Sequence, residues 1–491
     1  MSDTPPVRRI AGPFNRIEGD LEILLDIAGD HVQEARVNAT LFRGVERMLE
    51  GRAPMDALVI APRICGICSV SQSRAAAAAL AGLSQVQAPA NGRIAANIIL
   101  ATENLADLIT HFYLFFMPDF ARPDYAHHRW HGAALRRFAA GRGQAVAAAL
   151  RTRAELLHVM GILAGHWPHT LAIQPGGVSR GIDAEACQRL SGILASVRAD
   201  LENNLFGVAL ETVVELADCA TLHTWRQHGS ASDFGLFLDI AETLELSTLG
   251  RAYDCFLTCG SWPGGRDPHN TTPLWPAGIV ADGAVLPFAP QDIVEDHAFA
   301  HLRDHERVHP PAEGTTVPHL RDGTAYTWCK APRLAGRPFE TGAIARQLVR
   351  GQPLIRALVA RGGGTVFSRV MARLIEMAAL PLLMEQWVRQ LEPGAPWYAP
   401  HGTLANGQSV GFTEAARGTL GHWLRVENGH IAGYQIIAPT TWNFSPRDAA
   451  GVPGPLERAL EGAPVRPGEH TPLSVQHIVR SFDPCMACTV H

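Results

Sequence analysis

Charge is scarce in this chain, and neither sign dominates. Of its 491 residues only 18% are charged, and 42 Lys and Arg stand against 47 Asp and Glu for a net charge of −5. No basic run or aromatic-basic stripe occurs, so the electrostatic footprint of a nucleic-acid-binding chain is missing. Uninterrupted hydrophobic runs are missing too. The longest apolar stretch, residues 95–117, is broken by Asn97, Glu103, Asn104, Asp107 and His111. A membrane span carries that many polar groups only around a functional cavity, so the stretch reads as a buried core helix whose polar side chains face something. The start, Met1 to Pro6, lacks the apolar run of a secretory signal, and a cytoplasmic location is expected. Cysteine is sparse: nine, at positions 65, 68, 187, 219, 255, 259, 329, 485 and 488. The odd count and long gaps exclude a secreted disulfide framework.

What is present is apolar residue, 47% of the chain, enough for a large buried core. Length alone allows roughly two or three domains. No repeat, low-complexity linker or composition break marks a boundary, so a single domain over 1–491 is expected, mainly α with small β lobes (α+β). A β-rich lobe is expected over about 1–60, where Leu21 to Ile27 is β-compatible and Gly29-Asp30 signals a turn. Spacing near 3.6 predicts helices over about 73–83, 95–117, 143–165, 184–217, 341–350, 365–391 and 473–481, with a turn-rich break at 174–178. Short apolar runs among Gly, Pro and aromatics predict strands and loops over 252–335, and a second β-like patch covers 410–440. Cys255 and Cys259, spaced i, i+4, suit one face of a helix and read as buried structural thiols.

The chemistry concentrates at the two ends. Arg63-Ile64-Cys65-Gly66-Ile67-Cys68 and Asp483-Pro484-Cys485-Met486-Ala487-Cys488 each hold a C-x-x-C, and His491 closes the chain. Each pair lets two sulfurs from one tight turn reach one metal, and four thiolates suit Zn, Fe–S, Cu(I) or Ni rather than Mg or Ca. From the pairs alone, a closed structural Zn(Cys)₄ staple is the commoner use.

The flanking residues point elsewhere. R-x-C-G-x-C near one end with D-P-C-x-x-C-x-x-H at the other resembles the large subunit of [NiFe] hydrogenases, and the resemblance runs through almost the whole chain. It includes Arg16-Ile17-Glu18-Gly19, Phe42-Arg43-Gly44-Val45-Glu46, His111-Phe112-Tyr113, Pro175-Gly176-Gly177-Val178, Lys330-Ala331-Pro332-Arg333, Ala416-Arg417-Gly418, Pro439-Thr440-Thr441-Trp442-Asn443 and Pro446-Arg447-Asp448, in the family's order. It implies a central bundle of long helices with the metal site between the terminal motifs. It also implies a Ni–Fe(CN)₂(CO) centre that splits H₂ heterolytically. All four cysteines would bind nickel, Cys65 and Cys485 as terminal ligands and Cys68 and Cys488 bridging to iron. Cys485 would be the first proton acceptor and Glu18 the proton gate. Arg417 would stand over the open metal position, held by Asp107 and Asp483. Thr440, after Pro439, would hydrogen-bond a cyanide. Glu46, the backbone carbonyl of Ile436 and His491 would hold Mg²⁺, or iron, near the C-terminus.

With the four end cysteines used and the others scattered, iron–sulfur clusters must come from another chain. The resemblance supplies a small subunit, giving a heterodimer or a dimer of heterodimers. Three positions depart from the family pattern. Gln72 stands where most members have histidine, Asp20 ends the usual R-I-E-G-H, and Ala416 replaces a proline before the arginine. Gln72 is similar to the regulatory, H₂-sensing subgroup, which implies slow turnover and signalling to a histidine kinase. The end at His491 suits either a sensor, made without a removable extension, or a processed enzyme. An energy-conserving uptake hydrogenase is the alternative. A quinone-pocket relative from respiratory complex I would lack the cysteine pairs.

Overall fold

The polar interruptions of the long apolar stretch lie inside one helix, Ala90–Thr110, in which almost every residue is buried. The computed structural model describes residues 7–229, 231–264, 272–304, 307–321 and 323–491; Met1 to Pro6 lies outside them. Ala90–Thr110 packs against the helices Gln144–Ala164 and Val366–Gln390, and Ala184–Asp200 packs across both of these. A helix apolar on all sides is stable only in such a setting. No helix among the described residues is long and apolar enough to cross a membrane. The fold is mixed, long helices with small antiparallel sheets around them, as expected.

Two sheets place the site. Val7–Ala11, Leu21–Ala28 and His31–Ala39 form an antiparallel meander, with Val7 opposite Ile27 and Leu21 opposite Ala39. Leu21, Ile23, Leu25 and Ile27 point inward, the period-2 pattern of a half-buried strand. Gly407–Ala415, Gly418–Glu427 and His430–Ile437 form the second meander. It lies directly on Ser69–Ser84, whose alanines Ala75, Ala76 and Ala79 are fully buried. The approach is so close that a Cβ on Gly411 would sit 2.1 Å from the Ala75 carbonyl oxygen. Small residues on both partners permit that contact, which explains the alanine-rich run.

Several boundaries differ from the sequence reading. The helix expected over 95–117 starts at Ala90 and ends at Thr110, then widens into a π-helical turn, His111–Phe116, and a 3₁₀ turn, Met117–Ala121. The stretch 184–217 breaks into Ala184–Asp200, a π-helical turn Leu201–Phe206 and Leu210–Val214, because Gly207 turns left-handed at φ 70°. The turn at 174–178 is a small hairpin of Ile173–Gln174 with Gly177–Val178. Helices His131–Phe138, Cys219–Gly229, Asp233–Thr243 and Pro353–Gly362 were not anticipated. Cys255 and Cys259 do not share a helix. They flank the strand Phe256–Thr258, which pairs with Gly278–Ala281, so long-range pairing overrode the i, i+4 spacing.

Candidate metal centre

Both cysteine motifs are delivered by turns that lead into helices. A 3₁₀ turn, Ala61–Ile64, precedes Cys65, and Ser69–Ser84 begins directly after Cys68. The start of that helix is anchored by Glu103, whose carboxylate accepts from the Val70 and Ser71 amides at 2.8 and 2.9 Å and from Trp167 Nε1 at 3.1 Å. A carboxylate there meets unpaired amides and the positive end of the helix dipole. Burial still pushes the Glu103 carboxyl up to about 7.

The second motif follows the helix Leu473–Phe482. Asp483 ends it in the left-handed region at φ 57°, a conformation that Asp tolerates better than most residues. Glu18 runs alongside: its carbonyl accepts from the Met486 amide at 2.7 Å, and its own amide donates to the Pro484 carbonyl at 3.4 Å. Gly19 must lack a side chain, since at φ +79° its Cβ would lie 3.0 Å from the Met486 Cβ. Arg43 joins both motifs by donating to the carbonyls of Ile64 and Ala487.

The result is one buried group of four sulfurs drawn from opposite ends of the chain. All four Sγ atoms lie within 4.8 Å of one another, the only such set of His, Cys, Asp or Glu donors among the described residues. Cys68 and Cys488 are 3.1 Å apart, Cys485 and Cys488 3.1 Å, and Cys65 and Cys485 3.5 Å. These spacings exceed a disulfide bond and suit sulfurs around a shared metal at about 2.3 Å each. Hydrogen bonding with Cys485, Cys488 and Cys68 holds the Cys65 thiol far below its ordinary value, while the interaction with Cys485 pushes Cys68 and Cys488 up. Four thiols this close cannot all ionise together without a cation, and metal charge is what would replace their protons. The donor set therefore fits a soft metal centre.

Arg417 faces the sulfurs with its charge held on both sides. Its Nη1 is 2.7 Å from Asp107 Oδ2, its Nη2 is 3.2 Å from Asp483 Oδ1, and its Nε donates to the Asp483 carbonyl at 3.0 Å. Burial opposes the guanidinium charge, but Asp107 and Asp483 outweigh it and keep Arg417 protonated. The two carboxyls differ. Burial pushes Asp107 up to about 8 against the pull of Arg417, whereas at Asp483 the same burial is outweighed by Arg417, His111 and Arg373. Glu18 is half-buried, and burial followed by the Cys65 charge raises its carboxyl.

The remaining expected residues also converge. Thr440 Oγ1 accepts from the Cys485 amide at 3.1 Å, so its hydroxyl proton is free to point into the cavity that Pro439, Thr440, Arg417, Cys68, Cys485 and Cys488 line. Gln72 lines the same cavity. On the far side, His491 Nε2 lies 2.9 Å from the Ile436 carbonyl and 3.4 Å from Glu46 Oε1. Burial would raise Glu46, but Lys330 and His491 hold it down at about 2. Glu295 packs there as well, 3.5 Å from Lys330 Nζ, with Oε1 unbonded. Two buried carboxylates and a backbone carbonyl against one ammonium form an oxygen-rich set that fits a hard cation.

Sequence reasoning missed four supporting residues. Glu103 and Asn104 had a signal in the broken polarity of their helix. Arg346 and His422 had none, since their partners lie far away in the chain.

The sequence pattern of the family Nickel-dependent hydrogenase matches residues 43–128 and 145–491. The periplasmic [NiFeSe] hydrogenase large subunit of Desulfomicrobium baculatum is 29% identical, covering 98% of this chain and 94% of its own. The hydrogenase-2 large chain of Escherichia coli K12 is 27% identical, covering 98% and 96%, and the quinone-reactive Ni/Fe-hydrogenase large chain of Wolinella succinogenes is 25% identical, covering 99% and 96%. The reduced Ni-Fe-Se hydrogenase of D. vulgaris Hildenborough superimposes with a TM-score of 0.85 at 26% identity, over 99% of this chain and 100% of that one. With four buried cysteines gathered from its two ends, the chain belongs to the nickel-dependent hydrogenase family, as a large, catalytic subunit.

Proposed function

We propose that this subunit oxidises H₂ at a Ni–Fe centre held by Cys65, Cys68, Cys485 and Cys488, and passes the electrons to an iron–sulfur small subunit that feeds metabolism. The observation that carries the reading is the convergence of four buried thiols beneath an arginine clamped by two aspartates. When bound, the Ni–Fe centre supplies the site where H₂ is polarised and split.

The chain's own residues handle charge and protons. Cys65, Cys68, Cys485 and Cys488 would hold the centre, Cys65 and Cys485 as the terminal pair and the adjacent Cys68 and Cys488 as the pair shared with iron. Arg417 holds a fixed positive charge over the open position, where a preorganised donor stabilises separating charge better than water does. Cys485 Sγ takes the first proton, and the Glu18 carboxylate relays it outward. A carboxyl raised toward working pH suits that task. Asp107 and Asp483 prevent Arg417 from swinging. Thr440 would donate to a cyanide on iron, and Glu46, the Ile436 carbonyl and His491 would hold Mg²⁺ or iron beside the chain end.

A second reading is favoured by Gln72: a regulatory H₂ sensor, cytoplasmic, slow, and coupled to a histidine kinase. The relatives' names favour the metabolic role, one being called quinone-reactive. Infrared bands of metal-bound CO and cyanide, with about one nickel per chain, test the centre; zinc without such bands sinks it. Co-purification with a kinase rather than a membrane electron acceptor would overturn the metabolic role. Cell fractionation separates the cytoplasm from the periplasm, where the D. baculatum relative is named.

A further inference from the structure

The cavity beneath Arg417 receives a hydrogen-bond chain that no cysteine motif contains. Tyr434 Oη lies 2.7 Å from His422 Nδ1, and His422 Nε2 lies 2.8 Å from Gln72 Oε1. All three side chains are fully buried. The other end of the Gln72 amide, Nε2, has no partner among the described residues, and Gln72 lines the cavity that holds Cys68, Cys488, Asp107 and Arg417.

We propose that His422 and Tyr434 are positioning residues that fix which end of the Gln72 amide faces the cysteine-bound metals. The inference rests on the Ni–Fe reading of the four cysteines.

A chain of phenol, imidazole and amide can run in two directions. If Tyr434 donates, His422 Nδ1 accepts, Nε2–H donates to Gln72 Oε1, and the amide N–H₂ is left for the cavity. If the chain is reversed, the Gln72 amide donates to His422, His422 donates to Tyr434, and the amide oxygen faces the cavity. Two features select the first direction. Tyr434 Oη has no second hydrogen-bond partner among the described residues, so reversal would strand its proton in the interior. The cavity is lined by thiolate sulfurs, which accept hydrogen bonds and repel an amide oxygen. A neutral imidazole carries a single ring hydrogen, so placing it on one nitrogen of His422 settles the direction of the whole chain. A lone glutamine can flip with little penalty, but here a phenol on a neighbouring strand dictates its polarity. The His422 strand, Gly418–Glu427, is the one that follows Arg417, and Tyr434 sits on the strand paired with it, opposite Leu424. The same sheet that presents the arginine therefore orients the amide.

The test uses the mature pair of large and small subunits, with nickel content measured for each variant. Amide N–H donation draws electron density from a thiolate, and its loss makes iron richer and lowers the CO and cyanide stretching frequencies. His422→Leu is expected to shift those bands to lower wavenumber. His422→Gln, which offers the same donor and acceptor, is expected to return them to the wild-type position. Tyr434→Phe keeps the ring, frees the direction of the chain and is expected to split the bands into two sets; it keeps the test decisive if His422→Leu fails to mature. Nickel-loaded His422→Leu or Tyr434→Phe with wild-type bands would overturn the proposal, as would His422→Gln displaced as far as His422→Leu. Wild-type protein without CO and cyanide bands would instead refute the Ni–Fe reading, so the two failures are separable.

Discussion

Replacing Arg346 by Met should destabilise the subunit more than any surface change, by an amount the structure lets us work out. Arg346 is fully buried and donates to Glu376 Oε1 at 2.7 Å, to Glu414 Oε2 at 2.7 Å, and to the carbonyls of Ala415 and Ala416 at 2.9 Å each. Those carbonyls belong to the two residues before Arg417, so Arg346 clamps the strand end that presents the site. Glu414 keeps other donors in Thr258 Oγ1 at 2.8 Å and the Cys259 amide at 3.0 Å, but among the described residues Glu376 retains only Gln347 Nε2 at 3.3 Å. The loss is therefore close to that of one buried pair broken from one side, about 3–5 kcal/mol. Unfolding entropy of about 2.1 cal/mol/K per residue over 491 residues gives about 1 kcal/mol per degree, hence a fall in apparent Tm of about 3–5 °C. Because large metalloproteins unfold irreversibly, wild type and variant are to be scanned at one fixed rate. The double variant Arg346→Met with Glu376→Met should recover most of the loss, since it removes the stranded charge as well. An R346M drop below about 1 °C, or a double variant as unstable as R346M alone, would refute the reasoning.

Glu18→Gln should leave nickel content unchanged and slow H₂/D₂O exchange by about 10²–10⁴-fold; exchange within a few-fold of wild type removes Glu18 from the proton path. Gly19→Ala forces a Cβ against Met486 in a left-handed residue and should lower both Tm and nickel incorporation, read by metal analysis; full loading at unchanged Tm contradicts the close packing of Glu18-Gly19 on the second motif. Glu457 is pushed up to about 7 by burial, despite the Val37 amide, Tyr326 and Arg447. A raised carboxyl contributes stability that is complete below its unfolded pKa of about 4.5 and lost as pH rises through 7, about 3 kcal/mol at most. Tm should therefore decline from pH 5 to 8, and Glu457→Gln should make the decline shallower; an equal slope in both proteins excludes Glu457 as a source.

Much of the site was legible because its chemistry is carried by short contiguous motifs. C-x-x-C needs only four consecutive residues to aim two sulfurs, so Cys65 with Cys68 and Cys485 with Cys488 announce a metal wherever the ends meet. The polar residues within 95–117 likewise signalled that the helix faces something, and Glu103, Asn104 and Asp107 do line the cavity. His422 and Arg346 were silent. His422 meets Gln72 across 350 positions, and Arg346 meets Glu414 across 68. Nothing local distinguishes such residues from any polar residue on a strand or helix. Cys255 and Cys259 show the reverse error, where a helical spacing was present and a strand formed.

By itself the sequence determined a donor set of four cysteines, the family and the class of fold, because donor chemistry, motif order and hydrophobic period are local properties that survive any arrangement of the chain. Only the tertiary structure decided that the two ends meet within 4.8 Å, that Arg417 is gripped by Asp107 and Asp483 on opposite sides, and that Gln72 is backed by His422 and Tyr434. These are relations between distant segments. They are set by how closely an alanine-rich helix can lie on a glycine-containing sheet, and by which buried charges must find partners once water is excluded.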